Sequence, residues 1–202
     1  YARYTRLVRV GDNPTTRLSP IELVPVSYQM GEVQVAATRS KKETPMTFTN
    51  LEKEDLEVDN IGLDAPFLLR WTPSAVVTSD AGAGIGYTGI RIRGTDPTRI
   101  NVTINGIPLN DAESQGVFWV NMPDFLSSAD NLQIQRGVGT SSNGAGAFGA
   151  TININTAKVE QEAYGSVNTA VGSFNTFKRN VQFGTGVLND KFVLDGRLSE
   201  IN

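Results

Sequence analysis

The feature that most limits what this chain can become is a strict two-residue alternation that returns along it, punctuated by Gly-rich loops. Ile90-Arg91-Ile92-Arg93, Ile100-Asn101-Val102-Thr103-Ile104, Leu132-Gln133-Ile134-Gln135-Arg136 and Ala150-Thr151-Ile152-Asn153-Ile154-Asn155-Thr156 all follow it. Period two sends successive side chains to opposite faces, so each stretch predicts a strand. Asn105-Gly106 ahead of Ile107-Pro108-Leu109 predicts a tight turn. Helical signals are short by comparison. Asn50 can cap a helix whose first turn carries Glu52, Glu54 and Asp55, where the helix dipole favours acids. A second helix is expected over 64–70, with Leu68 and Leu69 inward and Pro73 ending it. Residues 80–89 read as a Gly-rich loop. The expectation is a mainly β, α+β fold: a small mixed sheet with short helices and long loops.

The last part of the chain alternates over longer stretches, 164–171, 176–187 and 192–201, with links at Gly172-Ser173 and Asn189-Asp190. Val181, Phe183, Thr185 and Val187 fall on one face and Lys178, Asn180 and Gln182 on the other. Likewise Phe192, Leu194 and Leu198 oppose Asp195, Arg197 and Ser199. Two readings fit: the wall of a transmembrane β-barrel, apolar outside and wet inside, or an antiparallel sheet on a soluble core. In both, three strands leave an open edge, so the chain is expected to end inside a larger β structure. At the other end, residues 1–26 alternate around a Gly11-Asp12-Asn13-Pro14 turn, which is expected to be the end of a preceding small β domain.

Composition removes whole classes of chemistry. There are no His and no Cys among 202 residues, so the commonest general base, thiol nucleophiles, thiolate zinc sites and disulfides are all absent. No Asp or Glu pair has a spacing that sets it apart from solvated loops, and neither an enzyme, a metal site nor a cofactor is expected. Lys and Arg number 18 against 21 Asp and Glu and nowhere cluster, which disfavours nucleic acid. No window approaches the roughly 20 apolar residues of a membrane helix, an observation with no bearing on a barrel. Gly144-Ala145-Gly146-Ala147-Phe148-Gly149 matches the G-x-G-x-x-G dinucleotide fingerprint, but a β-branched alternating stretch follows where that fingerprint needs a helix. The glycines are better read as close backbone approach in a tight loop.

Four motifs in order carry a family resemblance: Gly89-Ile90-Arg91-Ile92-Arg93-Gly94, then Val102 through Ile104 with Asn105-Gly106-Ile107-Pro108-Leu109-Asn110-Asp111, then Leu132-Gln133-Ile134-Gln135-Arg136-Gly137, then residues 143–154. They resemble the IRG, DGVPL, E-x-x-RG and YG-x-x-A-x-GG landmarks of TonB-dependent receptor plugs. Departures are mild: Asn105 replaces the usual Asp, Gln135 a common apolar residue and Phe148 the usual Tyr.

The resemblance implies a division into the end of a carboxypeptidase-regulatory-like β domain (1–27), a TonB-box linker (28–40), a plug (41–158) and the first strands of a large transmembrane barrel (159–202). It implies the gate of an outer-membrane active transporter for a scarce nutrient such as a ferric siderophore, its N-terminal segment in the periplasm. Expected partners are TonB with inner-membrane ExbB-ExbD, a small-molecule or chelate ligand, the outer membrane and, optionally, a surface lipoprotein. Glu32, Val33, Gln34, Val35, Ala36, Ala37 and Thr38 occupy the place of the TonB box, suited to strand addition; without the resemblance they read as a linker. Arg93 and Arg136 match plug arginines that latch onto acids of the barrel, whereas Arg91 is expected on the other face of its strand. Tyr87, Asp111, Glu113, Gln115, Phe118 and Trp119 fall on plug apices that face ligand, with packing against the barrel as the alternative for the two aromatics. A soluble β-rich adhesion or carbohydrate-binding module is the rival reading of the whole chain.

Overall fold

The structure is a computed structural model that describes residues 39–40, 45–139, 146–156 and 159–202. The chain divides into two compact units, Tyr1–Val33 and Gln34–Asn202, and every described residue belongs to the second. The expected TonB box at 32–38, the β segments of 1–26 and part of the Gly-rich stretch lie outside the described residues.

Five strands form a mixed sheet in the order β1-β6-β7-β4-β5: β1 (Thr47–Glu52), β4 (Ile100–Ile104), β5 (Ile107–Pro108), β6 (Asn131–Arg136) and β7 (Ala150–Asn155). β4 and β7 run parallel, and the other pairs antiparallel. Register places Ile134 opposite Ile152 and Ile152 opposite Val102, so alternation in sequence becomes an apolar row across three strands. Leu132, Ile134, Ile152, Ile154, Ile100 and Val102 are all buried on that face. Each such side chain contributes about 1.5–3 kcal/mol when fully buried. The opposite row, Gln133 beside Asn153 beside Thr103, is also buried. A sheet with two buried faces, one of them polar, has to satisfy that second face by hydrogen bonds.

Over the apolar face lie α1 (Lys53–Asp59), α2 (Ala65–Leu68) and the hairpin β2 (Ala75–Ser79) with β3 (Thr88–Ile92), contributing Leu56, Leu68, Leu69, Ile90 and Ile92 to one core with Trp119 and Leu126. The first helix starts later than the sequence suggests. Asn50 is a β1 residue paired with Gln133, and the cap is Glu52, whose N–H donates to Asp55 Oδ2 at 3.1 Å. Pairing with β6 claims residues 47–52 before the helix can. α2 is also shorter than expected, because beyond Leu68 the chain tightens into i→i+3 turns, with Arg70 N–H donating to the Phe67 carbonyl oxygen and Thr72 N–H to that of Leu69. β2 was not apparent beside the Gly-rich loop, although Val76-Val77-Thr78 is a β-branched run of the right kind. The Asn105-Gly106 turn is as expected, with φ of 50° and 82°, the positive pair of a type I′ hairpin turn.

The final strands, β8 (Tyr164–Val171), β9 (Phe177–Gly184) and β10 (Asp195–Ile201), make an antiparallel meander. β9 and β10 are shorter than their alternation suggests. The chain leaves the ladder where Gly186, at φ +64°, lies against the backbone of Gln161–Ala163, closely enough that an added Cβ would sit 2.6–2.8 Å from it. Asn189 and Asp190, both at positive φ, turn the chain back between Leu188 and Phe192. On β9 the polar face is buried, Lys178 3% exposed and Asn180 1%, while Val181 and Phe183 on the apolar face are 40% and 46% exposed. Leu198 of β10 is 73% exposed and Val167 of β8 71%. An ordinary soluble sheet has the reverse polarity.

Candidate functional site

The polar face of this meander is held to the rest of the fold by one carboxylate. Asp124 sits at φ +55° before a 3-10 turn over Phe125–Ser128, and its side chain is wholly buried. Oδ1 accepts from Lys178 Nζ and from Ser127 Oγ, each at 2.5 Å. Oδ2 accepts from Asn180 Nδ2 and Arg197 Nη1, each at 3.1 Å, and from the Ser199 hydroxyl. Lys178 also reaches Asn60 Oδ1 at 2.8 Å, and Arg197 donates to the Asp124 carbonyl oxygen at 2.7 Å. Burial alone would raise the Asp124 pKa. The hydrogen bonds from Lys178, Ser127 and Ser199 outweigh it and hold the carboxyl below its ordinary range. Sequence reasoning put Lys178 and Asn180 on one polar face, and Arg197 and Ser199 on another, but missed Asp124. It lies more than fifty residues from Lys178 and carries no motif.

Arg93 and Arg136 are brought to one corner. Arg93 follows β3 at φ +53°, its Nη2 3.3 Å from Thr47 Oγ1. Thr47 is the register partner of Arg136. Gly137, at φ +100°, makes room for the Arg93 guanidinium, since a Cβ there would lie 2.8 Å from Nη1. Arg136 donates to the Pro73 carbonyl oxygen at 3.4 Å, while its Nε is buried with no hydrogen-bond partner. Neither arginine has an ion pair among the described residues. Arg91 is half exposed and lies 3.7 Å from Asp96.

Two of the candidate apical residues, Phe118 and Trp119, line one cavity. An apolar cavity of about 280 Å³ is lined by residues 88–90 and by 116–119 among others, so Phe118 and Trp119 meet the strand that follows Tyr87. Trp119 is buried in the core, whereas Tyr87, Asp111, Glu113 and Phe118 are exposed. Asp111 accepts from the Glu113 and Ser114 N–H groups and from Ser114 Oγ, bonds that lower its pKa and commit it to shaping the loop. Gln115 stands at φ +58°, its Nε2 donating to the Ala112 carbonyl oxygen. Asn110 was not singled out from sequence. Its amide accepts from Val102 N–H and donates to the Ile100 and Gln115 carbonyl oxygens, which fixes the loop to the end of β4.

At the nucleotide-like motif, Gly149 is followed by β7, not a helix. A Cβ on it would collide with Thr95 Oγ1 and lie 2.8 Å from the Arg99 carbonyl oxygen, so close approach is what this glycine serves.

A mixed sheet with short helices, a gathered pair of arginines and an inverted β-meander describe the plug end of an outer-membrane receptor. The TonB-dependent Receptor Plug Domain family matches residues 40–151, more than half of the chain, and the chain belongs to that family. A probable TonB-dependent siderophore receptor of Acinetobacter baumannii, PirA, is 28% identical over 127 residues, 58% of this chain and 17% of that protein. The crystal structure of PirA covers 75% of this chain and 24% of its own, with a TM-score of 0.57 at 24% identity. The ferripyoverdine receptor of the Pseudomonas aeruginosa outer membrane, bound to ferripyoverdine, gives 0.62 at 19% identity over 83% of this chain and 22% of its own. The alcaligin outer-membrane receptor FauA of Bordetella pertussis gives 0.61 at 19% identity over 79% and 27%. The chain thus spans less than a fifth of the curated relative it matches, and the structural likenesses establish the fold.

Proposed function

We propose that this chain is the plug and gate of an active outer-membrane transporter, with residues 41–158 as the plug and 159–202 as the opening of the barrel wall. The observation that carries this reading is the inverted polarity of the meander, whose polar face is tied to the plug through Asp124 while Val181, Phe183 and Leu198 face outward. A soluble adhesion or carbohydrate-binding module would turn those side chains inward. The relatives' ligands favour a ferric siderophore or similar chelate, bound at the apices that carry Tyr87, Asp111, Glu113, Gln115, Phe118 and Trp119, of which Phe118 and Trp119 line the apical cavity. Asp111 and Trp119 support that surface from within.

In this reading the chain performs no covalent chemistry. Ligand binding shifts the plug, Glu32 to Thr38 becomes available in the periplasm, and TonB, energised by ExbB-ExbD, adds a strand to the segment and pulls. A surface lipoprotein is an optional accessory. Arg93 and Arg136 form a cationic corner at Thr47 and Gly137 with no ion pair among the described residues, which favours a carboxylate partner on the wall. The test is Val35→Pro in cells whose only receptor of this kind is the intact protein, supplied with a panel of radio-iron siderophores. Proline removes the donor that strand addition needs, so uptake should fall to background while surface binding persists. Normal uptake by the variant rejects the box, and no uptake of any complex by the parent protein rejects the siderophore reading.

A further inference from the structure

The polar face of the central sheet contains an arrangement that plug packing does not require. Gln133, 2% exposed in the middle of β6, uses its amide in full. Its Oε1 accepts from the Ser40 N–H at 2.7 Å and from Gln135 Nε2 at 2.9 Å. Its Nε2 donates to the Ser40 carbonyl oxygen at 3.0 Å and to Asn50 Oδ1 at 2.8 Å. An amide that both accepts from and donates to one residue's backbone reproduces the doubly bonded pair of an antiparallel ladder. Here it is one residue long and made by a side chain. Ser40 is buried, its hydroxyl donates to the Met46 sulfur, and the neighbouring Arg39 donates to the Asn153 carbonyl oxygen at 3.5 Å. The chain is therefore fastened to the sheet two residues beyond Thr38, ahead of β1.

We propose that Gln133 is a clasp that holds the chain at Ser40 and so restrains the preceding segment 32–38, an inference that rests on reading that segment as the TonB box. The two Gln133 hydrogen bonds at Ser40, together with the one from Arg39 to the Asn153 carbonyl oxygen, oppose a pull from the N-terminal side before the β1–β6 ladder does, and that ladder pairs six positions. The clasp opens first. Shifts of β6 relative to β1 alter the clasp directly, because Asn50 on β1 shares the same amide, and this links the state of the plug to the reach of the box.

These 202 residues contain no cysteine, and any cysteine elsewhere in the intact receptor is replaced by serine so that single reporters are read without background. In the intact receptor in outer-membrane vesicles, without TonB, a Val35→Cys reporter is labelled with a maleimide in the presence of Gln133→Met, which keeps length but loses the amide, or Ser40→Pro, which removes the backbone donor together with the hydroxyl and fixes φ. Both should raise the labelling rate at position 35 several-fold and leave a Thr49→Cys reporter on β1 at its original rate, a separation that general loosening of the plug would not give. An unchanged rate at position 35 in both variants overturns the clasp, as does equal acceleration at both reporters. Capture of the periplasmic TonB domain is measured in parallel. Faster labelling together with capture lost in Val35→Pro supports both clasp and box. Faster labelling with capture retained in Val35→Pro supports the clasp and rejects the box.

Discussion

Asp124 accepts from Lys178, Asn180, Ser127, Arg197 and Ser199, so its removal strands two cations at the plug–meander contact. Breaking a buried pair from one side costs about 3–5 kcal/mol, and Asp124→Ala should make the plug of the intact receptor unfold at lower denaturant. Asp124→Asn should cost less, since its amide oxygen still accepts. A double-mutant cycle with Lys178→Met should show strong coupling, and additive effects would count against the contact. The pKa direction gives a pH signature. A carboxylate lowered in the folded state contributes stability that is present above its unfolded pKa of about 3.9 and lost as pH falls through the folded value. Pepsin sensitivity should therefore rise below about pH 4 in the parent protein, and Asp124→Asn should lack that contribution.

Strands and turns differ in how locally they are determined. β4 and β8 fall where their alternation puts them, and β6 and β7 to within one residue, because the period of two is written in the chain whether the apolar row is buried, as in β4, β6 and β7, or exposed, as in β8. The β4–β5 turn is equally local. Asn105 takes φ +50° and its Oδ1 accepts the Thr156 N–H at 2.9 Å, while Nδ2 donates to Thr156 Oγ1. Asp tolerates the same conformation and keeps the acceptor, so Asn105→Asp should change stability by less than about 0.5 kcal/mol, whereas Asn105→Ala should cost about 1–2 kcal/mol from left-handed strain and the lost bonds. Urea midpoints of the intact receptor check both. The helix boundaries were not local: Asn50 looks like a cap only until β6 arrives to pair with it.

At the scale of the whole molecule, the proposed barrel reading rests on the meander. Val181, Phe183 and Leu198 are exposed on the side away from Asp124, and a lipid-facing position penalises a cation by about 2–4 kcal/mol near the bilayer midplane. Val181→Arg should therefore reduce the heat-resistant, correctly inserted fraction of the intact receptor on gels, while Ser166→Thr on the neighbouring strand serves as a mild control. A soluble sheet would tolerate Val181→Arg with no loss of folded protein.

The sequence by itself determined the β class, the order of the landmark strands, the tight turn and the exclusion of His and Cys chemistry, because these follow from local periodicity and composition. The family, too, was legible in four short motifs. It also placed Lys178 and Asn180 on a common face, yet two readings of that face stood open. Tertiary structure decided between inward and outward polarity, gathered Arg93 and Arg136 at one corner, and set Asp124 and Gln133 at the centres of their networks. Those outcomes depend on pairings across many tens of residues, and a hydrogen bond formed at that separation leaves no periodic trace in the chain that makes it.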